Sequence, residues 1–195
     1  LLNLALESFY LSSDVLSQRD KWALRELRRL AVFAFLLLGL QTGLVYLSPK
    51  WYGVVWGIVI GWFFGIILTQ AVGWLLYPMA RFGALKESLN HFIGSVLLST
   101  SGILVLSLFG LGFAFGVRWY TPEIFALVGC LWSGIILAHL LRRSGLSPLY
   151  STLLSIIFSV VLTVSWLWLS RSSLVSADRV WAKAEVVWKA LKEKD

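Results

Sequence analysis

The long apolar runs of this chain contain no centrally placed Asp, Glu, Lys or Arg, and the whole sequence holds two histidines and one cysteine. Ion-coupled pumps, proton relays and voltage sensors carry ionisable groups inside the membrane, so their usual equipment is missing. A single cysteine, Cys130, excludes an intrachain disulfide and a cysteine metal cluster; it reads as a small apolar core residue. No HExxH, P-loop or dinucleotide fingerprint occurs. Trp132-Ser133-Gly134 lacks the upstream glycine of a GxSG element, and Ser133 and His139 fall on different helix faces. No catalytic residue, no metal site and no nucleic-acid partner are therefore expected.

What the chain has is apolar length. Its 195 residues are 58% hydrophobic and 14% charged, with a mean hydropathy of +0.81, which is the composition of a polytopic membrane protein. Charge-free runs of about 20 residues mark membrane helices, and five are found: 30–48, 51–77, 91–117, 121–141 (with Glu123 at its edge) and 148–170. The fold class is all-α, a polytopic membrane helical bundle with five transmembrane helices plus amphipathic terminal helices. It divides into a basic amino-terminal segment (1–29), a five-span membrane domain (30–170) and a basic amphipathic carboxy-terminal helix (171–195). The chain begins at Leu1 without an initiator Met, which points to a processed or missing start; residues 1–11 are apolar but lack the basic n-region of a signal peptide.

Basic residues set the orientation. Arg19, Lys21, Arg25, Arg28 and Arg29 flank the first run, and with five spans Arg81, Lys86, Arg142 and Arg143 share that side, whereas the opposite loops hold only Lys50 and Arg118. The positive-inside bias then places the amino terminus of this multi-pass integral membrane protein in the cytoplasm; five crossings put the basic carboxy-terminal tail outside, and the alternative, one re-entrant run, returns it to the cytoplasm. Arg25, Arg28 and Arg29 are placed to reach lipid phosphates by snorkelling, with an acidic partner surface as the alternative.

Within the second run a small residue recurs at every fourth position: Gly53, Gly57, Gly61, Gly65, Thr69 and Gly73. Glycine inside a water-exposed helix costs roughly 1 kcal/mol relative to Ala, and in lipid the offsetting gain is close backbone approach. Each step of four residues turns about 400°, so the row drifts by roughly 200° over its length and no single straight partner follows it throughout. The second span is therefore expected to be the hub of the bundle, meeting one neighbour near Gly53 and another near Gly73. Gly39 and Gly43 repeat the spacing in the first run, making spans 1 and 2 the expected contact.

In the tail, Val180, Trp181, Ala184, Val187, Trp188 and Leu191 make one helical stripe among lysines and glutamates. Trp181, Val187, Trp188 and Leu191 are thus candidates for a membrane-interface or partner contact. His91 and His139 are the only intramembrane imidazoles and the only candidates for a haem or chlorophyll metal; no cofactor is expected. Gln41 and Gln70 are each expected to pair with Ser or Thr across a helix contact, and Ser155, Ser159 and Thr163 to form a small polar packing row. Trp51, Trp74, Trp119, Trp166 and Trp168 fit an interfacial belt, while Trp56, Trp62 and Trp132 lie deeper.

Two connections carry a resemblance. Tyr77-Pro78-Met79-Ala80-Arg81-Phe82-Gly83 at the end of the second run, with Leu89 beyond it, and Ala138-His139-Leu140-Leu141-Arg142-Arg143-Ser144-Gly145-Leu146-Ser147 at the end of the fourth resemble the bacterial branch of the Yip1-domain family. The resemblance covers residues 30–170, and it departs where the family's paired glycine is Gly83-Ala84 here. It implies five spans, a cytoplasmic amino terminus and no enzymatic chemistry. The expected function is a non-catalytic membrane scaffold or interaction protein, with membrane lipids and other integral membrane proteins as partners. The alternatives are an accessory subunit of a bioenergetic or photosynthetic complex that contacts pigment or cofactor, and a carrier or scramblase for lipid-like molecules.

Overall fold

The structure, a computed structural model, describes residues 6, 10, 23–46, 51–116 and 122–192. Its main elements are α1 (Leu24–Tyr46), α2 (Trp51–Phe63), a π-helical turn (Phe64–Leu68), α3 (Thr69–Phe82), α4 (Leu89–Ser99), α5 (Ser101–Gly116), α6 (Pro122–Arg143) and α7 (Pro148–Lys192). Five stretches are long and apolar enough to cross a membrane: Leu24–Leu44, Tyr52–Phe82, Leu89–Gly112, Ile124–Arg143 and Pro148–Ser172. The protein is an all-α, multi-pass integral membrane protein.

α1 starts at Leu24, inside the arginine cluster, so one helix carries the charges into the apolar run that begins at residue 30. Leu27 and Leu30 are buried on one face while Arg25, Arg28 and Arg29 are exposed on the other. The amphipathic first turns therefore extend the span without a break.

Spans 1 and 3 form the centre of the bundle. α1 contacts α2, α4, α5, α6 and α7, and Leu30, Ala31, Ala34, Phe35 and Leu38 on it are fully buried. Span 3 is the most enclosed of the five and span 5 the least. Span 2 meets more than one neighbour, as its row predicts, with α2 packed on α1 and α7 and α3 on α4 and α7, but it is not the enclosed centre: Trp56, Val59, Trp62, Phe63, Ile67, Trp74 and Leu75 turn outward. Its small residues let one face lie flush on α1, and its bulky residues give the other face to lipid.

Two helix breaks have local causes. Ser99 Oγ donates to the Val96 carbonyl at 2.7 Å and Thr100 Oγ1 to the Leu97 carbonyl at 2.6 Å, while the Thr100 N–H turns back to Leu97. These hydroxyl bonds compete with the helical ladder and separate α4 from α5. In span 2 the π turn carries one extra residue per turn, and Thr69 Oγ1 donates to the Gly65 carbonyl.

Phe64, at the start of the π turn, joins Phe35 and Trp166 in a cluster of three buried rings. Phe35 and Phe64 have ring centroids 4.9 Å apart, and Trp166 meets Phe64 edge-on at 5.1 Å. Trp166 is 2% exposed, so it is a core residue rather than part of an interfacial belt.

The turns after spans 2 and 4 are built alike. Leu85 N–H donates to the Ala80 carbonyl and Ala84 N–H to that of Arg81; Leu146 N–H donates to Leu141 and Gly145 N–H to Arg142, all at 3.1 Å. Both are Schellman closures, with Ala84 (φ 69°) and Gly145 (φ 88°) in the left-handed position. The departure from a paired glycine thus falls on the one residue of its turn where a Cβ is strained. Leu85 and Leu146 are buried, Ser88 and Ser147 accept from the next helix's amides, and Gly83 sits against Leu146 and Tyr150. The two turns therefore pack on each other.

α7 runs unbroken for 45 residues. At 1.5 Å per residue that is about 67 Å, against a hydrocarbon core of about 30 Å. The tail is helical, as its stripe predicts, but it continues span 5 and is not a separate helix.

Candidate functional site

The close contact of spans 1 and 2 is glycine against glycine. A Cβ built at Gly39 would overlap the Gly57 carbonyl oxygen, one at Gly57 the Gly39 oxygen, one at Gly43 the Gly53 oxygen and one at Gly61 the Phe35 oxygen. A Cβ at Gly65 would come 2.8 Å from the Val32 Cα. The pairs 39/57, 43/53 and 32/65 define an antiparallel register, in which Cα–H groups approach carbonyl oxygens at close range. Four members of the row thus follow one partner. By Gly73 the row has passed to span 3, where its Cβ would meet only Ile93 Cγ1 at 3.4 Å. Thr69 is buried between these contacts.

Below that contact, towards the amino-terminal end of α1, the two helices part. A groove of about 480 Å³ opens there, lined by Arg25, Arg28, Arg29, Val32, Phe33, Leu36, Gly65, Ile66 and Gln70. Arg29 Nη1 lies 2.8 Å from Glu26 Oε1. Arg25 and Arg28 make no ion pair among the described residues. The π turn forms one wall and supplies Gly65, whose missing side chain leaves backbone at the groove surface. Sequence reasoning placed the arginines and Gln70 separately. The glycine register would have joined them, because continuing it puts Gln70 level with Leu27.

A second close contact joins spans 3, 4 and 5. A Cβ at Gly102 would come 2.9 Å from Ser133 Oγ, and one at Gly134 would overlap Ser159 Oγ. Ser159 Oγ donates to the Cys130 carbonyl at 3.0 Å, Ser155 Oγ to the Ser151 carbonyl at 2.7 Å, and Thr163 hydrogen-bonds the Cys130 side chain. Ser101 Oγ and Ser133 Oγ are buried without a partner among the described residues, as are both amide atoms of Gln41, which is 0% exposed. Gln41 therefore lacks the Ser or Thr partner its sequence position suggested. Its hydroxyl neighbour Thr42 donates to the Leu38 carbonyl of its own helix at 2.7 Å.

His91 is exposed at the start of α4, and His139 is half-buried one turn before Arg143, with Nε2 unpartnered among the described residues. The described residues hold no group of three or more His, Cys, Asp or Glu placed for a metal. Trp181, Val187, Trp188 and Leu191 lie on α7, and their side chains are outside the described residues.

No protein-family model matches the chain, and no solved structure matches it. A stretch of the chain is similar to the multidrug resistance protein MdtH of Aeromonas salmonicida (strain A449), with 33% identity over 93 residues. That stretch is 42% of this chain and 21% of MdtH, so the chain spans about a fifth of the length of this relative.

Proposed function

We propose that the protein is a non-catalytic membrane scaffold, Yip1-like in kind, that engages lipids and other integral membrane proteins. The observation that carries this reading is the unbroken α7. About 20 of its residues extend beyond the span that ends at Ser172, and Val175, Val180 and Val186 on it are 51%, 66% and 68% exposed. A long helix with uncovered apolar residues outside the bilayer is suited to docking on another protein. The positive-inside bias puts the amino terminus in the cytoplasm and this arm on the other side. Photo-crosslinkers placed at Val180 and Val186 in native membranes test the proposal. Crosslinks to one discrete second protein support it, and labelling of lipid alone counts against it.

A carrier for lipid-like molecules is the second reading. It draws on the similarity to MdtH, which is named for multidrug resistance, and on the unpartnered polar atoms of Gln41, Ser101 and Ser133 inside the bundle. Proteoliposomes containing the purified chain distinguish the two: a scaffold leaves the flux of a fluorescent amphiphile at the protein-free level, and a carrier raises it.

A further inference from the structure

We propose that the groove between α1 and the π turn is a specific site for an anionic glycerophospholipid of the leaflet at the amino-terminal end of α1. The phosphate sits between Arg25 and Arg28, and the acyl chains run along Phe33, Leu36 and Ile66. This goes beyond the scaffold reading and does not depend on it.

Charge is the first ground. Three guanidinium groups line the groove and, among the described residues, no carboxylate does. Glu26, beside these arginines on the same helix, is paired with Arg29. Other arginines on this side of the bundle are occupied: Arg81 donates to the Leu85 carbonyl at 3.4 Å, and Arg142 donates to Ser151 at 3.2 Å and Thr152 at 2.9 Å. Arg25 and Arg28 stay available for the paired N–H contacts that guanidinium makes to phosphate. Gln70 adds an amide at the same level.

Shape is the second. From Arg29 to Leu36 the helix rises about 10 Å, and over that length the wall is Val32, Phe33 and Leu36 facing Gly65 and Ile66. Phe33 is half-exposed, so the apolar part of the groove opens sideways to lipid. An acidic peptide would leave backbone N–H and C=O groups unsatisfied against these walls, whereas acyl chains have none to satisfy. A basic pocket between membrane helices with an apolar continuation is the form in which anionic headgroups are recognised.

The test is native mass spectrometry of the purified full chain in mild detergent with equimolar phosphatidylglycerol and phosphatidylcholine of identical acyl chains. The expected result is one retained phosphatidylglycerol, preferred about tenfold, with the preference falling to within twofold in Arg25→Gln/Arg28→Gln. Arg171→Gln/Arg179→Gln, on the exposed arm, should leave it unchanged. Ile66→Trp fills the groove with the arginines in place and should also abolish retention, which keeps the test decisive if the arginine double variant fails to fold. Glycerol 1-phosphate at the lipid's concentration should not displace the lipid. Equal retention of the two lipids, an unchanged preference in Ile66→Trp, or displacement by glycerol 1-phosphate would each overturn the proposal, the last by making the site one for soluble phosphate esters.

Discussion

Gly57→Ala adds one methyl group where two helix backbones touch. Its Cβ would overlap the Gly39 carbonyl oxygen and lie 3.0 Å from the Gly39 carbonyl carbon and 3.2 Å from the Gly43 Cα. All three are backbone atoms, so no side chain can swing aside. An ordinary separation of roughly 3.5 Å requires α1 and α2 to part by about 1 Å. A gap of that size forfeits a quarter to a half of each atom pair's ~0.1–0.2 kcal/mol, so opening a few tens of pairs along the contact costs roughly 1–3 kcal/mol. Alanine's better helix propensity returns at most about 1 kcal/mol, so Gly57→Ala should lie about 1–3 kcal/mol below a glycine-to-alanine control that gains the same propensity without the gap. Gly112→Ala is the control, because a Cβ there meets nothing within 4 Å. Gly73→Ala should be nearly neutral, its one contact being Ile93 Cγ1 at 3.4 Å. Reversible unfolding in mixed dodecyl maltoside and dodecyl sulfate micelles, followed by circular dichroism, reads all three. A Gly57→Ala protein as stable as Gly112→Ala would refute the backbone-contact reasoning.

Gly61→Leu should prevent folding or lower the melting temperature steeply, since its Cβ overlaps the Phe35 carbonyl, whereas lipid-facing Ile58→Leu should melt with the parent in the same detergent. Ala84→Gly relieves a left-handed alanine and should stabilise by about 1 kcal/mol in the same unfolding assay; a destabilised variant would mean that the turn does not hold this conformation. Gln41→Leu removes two buried, unpartnered amide atoms and should be neutral or stabilising by about 1 kcal/mol, and a loss of several kcal/mol would reveal a partner for that amide. In a background lacking Cys130, cysteines at Ser13 and Ser173 should label from opposite faces with an impermeant reagent; same-side labelling would discard five crossings.

The five spans were legible because apolar runs of membrane length admit few other readings, and the turns after spans 2 and 4 were marked by Arg, Gly and Ser. The glycine spacing pointed to the span 1 and span 2 pairing, yet not to which helix sits at the centre. That depends on what the other faces carry: span 2 exposes Trp62 and Trp74, while α1 buries Phe35 and Leu38. Trp166 was misplaced because position along a helix gives depth but not azimuth, and its ring turns inward onto Phe64. The groove was hidden because the π turn is a property of contacts around Phe64–Leu68 rather than of any residue type. The arm's continuity with span 5 was missed because Arg171 ends the charge-free run without ending the helix.

Scaffolding through the projecting arm is tested most directly by native mass spectrometry of complexes released from native membranes in mild detergent, comparing the full chain with one ending at Ser172. The full chain should appear with a discrete second protein, and the shortened chain, still folded by circular dichroism, should have lost it. Identical spectra for the two, each showing the chain with lipid alone, would contradict a scaffold role for this protein.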